Sequence, residues 1–155
     1  MGRVSLIAFV AGALIAPTLA MAAPTAGGWD FARWGMSRDE LVDAAKGALV
    51  ATDSHDMDDY LLKGRRKLGP FTFELKFQFD ETGLAEIDFN LEGGGSCNDL
   101  HAWLDKTYGE PEDEADRGAY HVTTWRDTAG GNRVNFAAQE DGTVCDLYLN
   151  PPTQD

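Results

Sequence analysis

The chain has 155 residues, a mass of 16.9 kDa and a formal net charge of -13. Its hydrophobic content of 43% and charged content of 25% are typical of a folded globular protein, which excludes a disordered chain or a coiled coil. The acidic excess argues against nucleic-acid binding and against docking on anionic lipid, because both need basic side chains. The length fits one domain, either undivided or made of two small halves that share a core.

The first 22 residues have the pattern of an export signal. Arg3 gives a positive start, residues 4–19 are almost wholly apolar, and Ala-Met-Ala at 20–22 places small residues where signal peptidase cleaves. The apolar run is short for a bilayer span and contains Pro17, although a retained membrane anchor is the alternative. We therefore expect cleavage after Ala22, no stable membrane insertion afterwards, and a periplasmic or secreted product.

The chain contains two cysteines, Cys97 and Cys145. In an oxidising compartment, an even number of cysteines indicates a disulfide bond. Cys97 falls on the apolar side of a predicted helix and Cys145 on the inward side of the predicted last strand, so the two sulfurs can meet in the core. A free catalytic thiol is the alternative, but no Cys–His spacing supports it. We predict the disulfide Cys97–Cys145.

The first predicted helix begins at a capping box. Ser37 can accept from the backbone of Glu40, and the Glu40 carboxylate can reach back to the backbone of Ser37. Apolar residues then recur at helical spacing, which predicts a helix over about 38–50. The polar and acidic residues 51–59 predict a loop. The following predicted elements are a short strand at 60–62 and a basic turn or strand at 63–67.

The clearest pattern is an alternation of apolar and polar residues from 71 to 79. Its odd positions are Phe or Leu and its even positions are polar, which is typical of a half-buried antiparallel strand. A turn at 80–83 and a return strand that carries Ile87, Phe89 and Leu91 on one side complete a hairpin. Because this apolar face needs a cover, we expect the first helix to pack on it.

The same order of elements begins again after the glycines at 93–95. Ser96 and Asp99 predict a second helix cap, and Gly109 and Pro111 predict the end of that helix. The predicted elements of this part are a helix from Ser96 to Tyr108, an acidic loop over 110–116, and strands over 120–126, 133–138 and 144–149.

These patterns predict an α+β fold with an internal repeat. We expect tandem units of a helix plus an antiparallel meander, which give one antiparallel sheet with two helices on one face. The expected organisation is a signal peptide over 1–22, a single domain over 23–150 with similar halves at about 30–92 and 96–150, and a tail over 151–155.

Three segments of the chain resemble a known group of proteins. Trp-Gly-Met-Ser at 34–37 opens the first helix, the Phe-rich hairpin follows, and Leu-Asp-Lys-Thr-Tyr-Gly-Glu-Pro at 104–111 closes the second. Over roughly 30–150 this arrangement resembles small exported bacterial proteins of the β-lactamase-inhibitor-protein-like type. The small lipoprotein of the outer-membrane barrel assembly machinery looks like a single-unit relative, but this chain lacks its lipidated cysteine.

That resemblance implies a function in protein binding. In that group the sheet and its loops are a protein-binding surface, and many members have no assigned activity. No residue of this chain matches an inhibitory loop, so the resemblance assigns no site residue here.

Catalytic motifs are missing from the sequence. There is no metalloprotease His pattern, nucleophile elbow, phosphate-binding loop or paired Cys motif, so we predict no catalytic residue, no metal site and no cofactor. We interpret His101, on the second helix, as a buried or edge histidine rather than a catalyst. The basic residues of the first half either receive an acidic partner or protect an edge strand from aggregation. They are Lys63, Arg65, Arg66 and Lys67.

An acidic cluster between 53 and 59 could hold a divalent cation. Its spacing departs from the EF-hand loop, which needs alternating ligands, a central glycine and a closing Glu. We therefore interpret it as a solvated loop, and the acidic run over 110–116 in the same way. The cluster consists of Asp53, His55, Asp56, Asp58 and Asp59.

The outward positions of the second half suggest an interface. Arg133, Asn135, Val144 and Tyr148 are expected to share a solvent-facing side of the sheet, and an aromatic residue beside an Arg suits a protein interface. Scattered surface residues are the alternative. We predict a non-enzymatic, exported protein-binding module that acts on another envelope protein. Alternatives are an inhibitor of an exported protease or β-lactamase, and a small metal-dependent enzyme that uses the 53–59 cluster.

Overall fold

The computed structural model describes residues 27–51, 60–93 and 95–152. The predicted signal peptide over 1–22 and the acidic cluster over 53–59 lie outside the described residues. The elements in chain order are β1 (Gly28–Trp29), β2 (Ala32–Arg33), α1 (Arg38–Ala45), β3 (Leu49–Ala51), β4 (Tyr60–Leu68), β5 (Phe71–Asp80), β6 (Gly83–Glu92), α2 (Cys97–Tyr108), β7 (Asp113–Arg117), β8 (Tyr120–Asp127), β9 (Asn132–Gln139) and β10 (Cys145–Asn150).

Eight strands form one antiparallel sheet in the order β3-β4-β5-β6-β10-β9-β8-β7. The strands β1 and β2 form a separate antiparallel pair. The predicted α+β class and the large antiparallel sheet are therefore confirmed. Because β6 pairs with β10, the last strands of the first and second halves of the chain meet in the middle of the sheet.

The predicted alternation in β5 builds the hydrophobic core. Its first four odd positions, from Phe71 to Phe77, are buried, and Phe79 is half-buried. The register carries this apolar face across the sheet, because Leu75 lies opposite Phe89 and Phe89 lies opposite Leu147. Farther along, the same face includes Phe136 on β9 and Trp125 on β8.

Helix α2 packs on this apolar face. The predicted cap is confirmed as a capping box: Ser96 Oγ accepts from the Asp99 backbone N–H at 3.1 Å, and the Asp99 carboxylate accepts from the Ser96 backbone N–H at 3.4 Å. The ring of His101 lies 5.2 Å from that of Phe136, and Trp103 lies edge-on to Phe71 at 6.0 Å. Leu100 and Leu104 are buried in the same core.

The predicted disulfide between Cys97 and Cys145 is confirmed. It joins the first turn of α2 to the first residue of β10, on the apolar side of the sheet. The Cα atoms lie 5.7 Å apart, within the usual range for a disulfide. The bond therefore fixes one end of the helix to the sheet that it covers.

Helix α1 is shorter than the sequence pattern predicted. It begins at the expected capping box of Ser37 and Glu40 but ends at Ala45, because Lys46 and Gly47 both take positive φ angles, 50° and 84°. A left-handed residue ends a helix, and glycine adopts this conformation without steric cost. The residues expected to be its last turn instead form β3, which pairs with β4.

The acidic run that we expected to be a loop contains strand β7. Residues Asp113–Arg117 pair with β8 along their whole length and form one edge of the sheet. Four of the five residues are exposed, so the strand lacks the apolar alternation that would reveal it. Charged side chains on an edge strand hinder pairing with another chain.

The hairpin β1–β2 was not predicted, because its strands of two residues each are too short to show an apolar alternation. Trp29 lies edge-on to Phe89 at 5.0 Å, and Phe31 lies 6.3 Å from Phe77. The Asn132 side chain accepts from the Gly28 backbone and from the Trp34 indole at 3.1 and 2.9 Å. The hairpin therefore covers part of the apolar face.

Phe77→Ala should lower the free energy of unfolding by about 3–5 kcal/mol, because the ring is fully buried and its loss leaves a cavity. Urea unfolding of the purified protein measures this change. Phe79→Ala, which removes the same atoms from a half-buried position of the same strand, is the control and should cost less. Equal costs at the two positions would contradict the burial pattern.

Replacing both cysteines by serine should lower stability by roughly 2–4 kcal/mol and reduce the melting temperature. The crosslink closes a separation of 48 residues, which restricts the unfolded chain. Thermal unfolding with and without a reducing agent measures the effect, and the double variant should be insensitive to the reductant. An unchanged melt after verified reduction would show that the bond does not stabilise the fold.

Candidate functional site

The second face of the eight-stranded sheet is mainly polar. We call it the polar face. It includes the even-numbered residues of β5, β8 and β10, and those of β6 from Glu86 onwards. It also includes the odd-numbered residues of β7 and β9, and those of β4 from Lys63 to Lys67. The contacts described above for α2 and for the β1–β2 hairpin are all with the other face.

A continuous chain of hydrogen bonds crosses five neighbouring strands on the polar face. Gln78 Nε2 donates to Glu86 Oε1 at 2.8 Å, and Asn150 Nδ2 donates to Glu86 Oε2 at 2.8 Å. Asn135 Nδ2 donates to Asn150 Oδ1 at 3.0 Å, and Thr124 Oγ1 donates to Asn135 Oδ1 at 3.0 Å. We call these five residues the polar ladder. Because each side chain is held by a neighbour, the centre of this face is preorganised.

Glu86 carries the charge of the polar ladder. Burial raises the pKa of this carboxyl; the hydrogen bond from Asn150 opposes that shift, and the nearby Asp88 adds to it. Gln78 Nε2 also reaches Asp88 Oδ2 at 3.2 Å, so two carboxylates share one amide. The centre of the polar face therefore holds two carboxylates, with Lys76 opposite Asp88, and the Glu86 carboxylate is partly removed from water.

A depression of ≈ 480 Å³ opens on the polar face beside the ladder, between β6 and β10. The backbone pairing of these strands covers only Ile87–Phe89 and Leu147–Leu149. Beyond the paired residues, β6 continues to Glu92, and β10 begins at Cys145. Asn90, which lines the depression, has a buried Nδ2 atom without a hydrogen-bond partner in the described part of the chain. The central junction of this face is therefore indented.

Three of the four predicted interface residues lie on the polar face. Arg133 and Tyr148 are partly exposed, whereas Asn135 is 5% exposed and works inside the polar ladder. Tyr148 lies directly opposite Asn135, and burial, followed by the negative charge of Glu86, raises the pKa of its hydroxyl. Val144 is 43% exposed but lies in the turn before β10, apart from the other three.

Most of the polar ladder was not predictable from the sequence. Gln78 and Glu86 stand at polar positions of the predicted hairpin, but Thr124 and Asn150 come from the distant second half. Their alignment depends on the register between β6 and β10, which local patterns do not encode. The alternation of polar positions was the available signal. It indicates which side of the sheet a residue is on, but not which residues lie beside it on the neighbouring strands.

The basic residues of β4 divide between the two faces. Arg65 pairs with Glu92 and Lys63 with Glu74 on the polar face, whereas Arg66 pairs with Asp30 on the other side at 3.0 Å. Strand β3 pairs only with 62–64 of β4, so the following residues form part of the sheet edge in the described chain. This position suits the edge-protecting interpretation. Binding of an acidic partner by these basic residues stays a prediction.

His101 lies between a carboxylate and a hydroxyl. Its Nδ1 is 3.3 Å from Asp105 Oδ2 and its Nε2 is 3.2 Å from Thr123 Oγ1. An acid–imidazole–hydroxyl order is the arrangement of a nucleophilic site, but Thr123 is 0% exposed, so its hydroxyl is closed to a substrate. The Thr123 contact instead fastens α2 to β8, and the Asp105 contact lies within α2.

Within the described residues, no group of three or more His, Cys, Asp or Glu side chains is arranged to hold a metal ion. None of the helices in that same part of the chain has the length and apolar character needed to span a membrane. Comparison of the chain with models of protein families, with curated proteins and with solved structures finds no match.

The carboxyl of Glu86 should titrate above its ordinary pKa of 4.5, and that of Glu40 below it, because Ser37 donates to Glu40 while burial and Asp88 act on Glu86. Carbon NMR titration of the side-chain carboxyls measures both. Asp88→Asn should lower the Glu86 pKa, because it removes a neighbouring negative charge. A Glu86 midpoint below that of Glu40 would contradict the described burial.

The raised pKa of Glu86 also determines how its contribution to stability changes with pH. The folded state holds this proton more tightly than the unfolded state, so the Glu86 contribution to stability falls as the pH rises from 4.5 through the folded pKa. Relative to the native protein, Glu86→Gln should therefore gain stability in urea unfolding as the pH rises above 4.5. A difference that is independent of pH would exclude this coupling.

Proposed function

We propose that the protein is a non-enzymatic, exported protein-binding module that contacts another envelope protein through its polar face. The observation that carries this proposal is the polar ladder. Five side chains from five strands are fixed in one network on a face that lies opposite the helix-covered core. A surface whose side chains are already ordered loses less conformational entropy when it binds a partner.

Residues beside the ladder support a protein partner. Tyr148 and Arg133 flank Asn135, and Tyr and Arg are the residue types enriched at energetically important interface positions. The depression next to Tyr148 makes the face concave at this point, so a partner side chain can be buried there. Charges of both signs on this face favour a specific partner over a general electrostatic attraction.

We infer that the two halves are tandem repeats of one unit. Each half consists of a capped helix followed by a four-stranded meander, β3–β6 after α1 and β7–β10 after α2. The strand orders mirror one another about the β6–β10 junction, and both helices begin with a Ser-based capping box. Leu41 of α1 joins the same core as α2, which supports placing both helices on the apolar face. This order of elements is the basis for proposing a relationship to β-lactamase-inhibitor-protein-like proteins.

Export into an oxidising compartment is part of the proposal. The disulfide between Cys97 and Cys145 supports it, because such bonds persist mainly outside the reducing cytosol. The signal-like pattern over 1–22 supports the same compartment.

Combined Tyr148→Ala and Arg133→Ala substitutions should reduce recovery of a specific partner from an envelope extract. Quantitative mass spectrometry of material captured on the tagged native and variant proteins measures the loss. Val42→Ala, at an exposed apolar position on α1, is the control and should leave recovery unchanged. Recovery of no partner, or of partners that are indifferent to the polar-face changes, would reject this surface as the interface.

A further inference from the structure

We propose that Arg126 and Arg133 form a binding site for a carboxylate carried by the partner polypeptide. The two residues are directly opposed on β8 and β9 at one end of the polar face. Like charges at opposed positions of an antiparallel pair destabilise a sheet, so folding alone does not favour this arrangement. Glu112 offsets the charge of Arg126, and a negatively charged group beside Arg133 would relieve the repulsion that is left.

A pocket of ≈ 250 Å³ lies at this position. Its lining includes both arginines, the turn between β8 and β9, and Pro152 after the last strand. The volume is below the range of about 300–1,000 Å³ that is usual for small-molecule sites, and it suits a carboxylate group with the first carbons of its side chain.

Among the described residues that line the pocket, the one carboxylate is already used by the turn. Asp127 Oδ1 accepts from the backbone of Ala129 and Gly130 at 3.1 and 2.9 Å, and its Oδ2 accepts from Asn132 Nδ2 at 3.0 Å. A Cβ atom at position 130 would lie 2.2 Å from Asp127 Oδ2, so glycine allows the turn to close around this carboxylate. Asp127 is therefore committed to the turn rather than to the arginines.

The positive charge of Arg133 is left without an ion pair among the described residues, whereas Arg126 pairs with Glu112. The nearest polar neighbour of Arg133 on β10 is Asn150, which lies directly opposite and whose Oδ1 already accepts from Asn135. Arg133 is also close enough to Tyr148 for its charge to act on the pKa of that hydroxyl. An anion bound in the pocket would therefore neutralise Arg133, and Arg126 would supply a second positive charge beside it.

The chemistry of the site favours a carboxylate. A planar guanidinium matches both carboxylates and phosphates through paired N–H donors. The strong negative charge of the whole chain repels polyphosphates and anionic membranes, whereas a single acidic side chain in a peptide adds little repulsion. The assignment to a partner polypeptide rests on the proposed function, but the anion site itself does not.

A titration with small probes tests the site on the intact protein. The probes are N-acetyl-diglutamate amide, the matching diglutamine amide and inorganic phosphate, and the readout is the set of arginine Nε–Hε signals in nitrogen–proton NMR spectra. We expect the glutamate peptide to shift the Arg126 and Arg133 signals saturably and more strongly than the other two. Arg133→Gln should weaken this binding at least about tenfold. Arg38→Gln, an equal charge change on α1, should leave it unchanged.

Stability supplies a second measurement. Because the arginine pair is repulsive, Arg133→Gln should keep or raise the melting temperature, which separates loss of binding from loss of folding. No saturable shift, a shift that survives Arg133→Gln, or binding of phosphate at least as strong as that of the peptide would overturn the proposal. The probe titration needs no partner, so it can succeed even if capture from an envelope extract fails. If capture succeeds and the titration fails, only the anion site is rejected, and the proposed protein-binding function is not.

Discussion

Three residue pairs between β6 and β10 hold the two halves of the sheet together. Ile87–Phe89 pair with Leu147–Leu149, and this register continues the apolar face from β5 to β8. The same register places Asn150 beside Glu86, which extends the polar ladder across the junction. Both the core and the candidate site therefore depend on one short antiparallel contact. A shift of one residue would turn every side chain of one half to the wrong face.

The parts of the fold that were predictable are those with strong local signals. The Phe–polar alternation of β5, the capping box at Ser96 and the pairing of Cys97 with Cys145 all follow from residues close in sequence or from simple counting. Strand β7 was not predictable in this way, because its exposed charged residues carry no apolar periodicity and its pairing with β8 decides its conformation. Likewise, the left-handed turn at Lys46 overrode the helical spacing that continued beyond it.

The candidate site was less predictable than the fold. Arg133 and Tyr148 are outward positions of neighbouring predicted strands, so their common face could be expected. Asn135 was expected to contact a partner, whereas in the structure it is a buried link of the polar ladder. The difference arises because exposure depends on what lies across the strand, and the partners of Asn135 come from β8 and β10. Burial of such polar residues disfavours their charged forms, and the pKa of Glu86 is raised for this reason.

The position of the disulfide bears on the order in which the molecule assembles. Both of its cysteines belong to the second half, so the bond crosslinks α2 with β10 and leaves the first half without a covalent constraint. The meander β3–β6 is built from contacts between sequential strands, which close short loops and form rapidly. Strand pairing within the first half therefore needs no thiol oxidation, whereas the bond fixes the strand that carries Cys145 to α2.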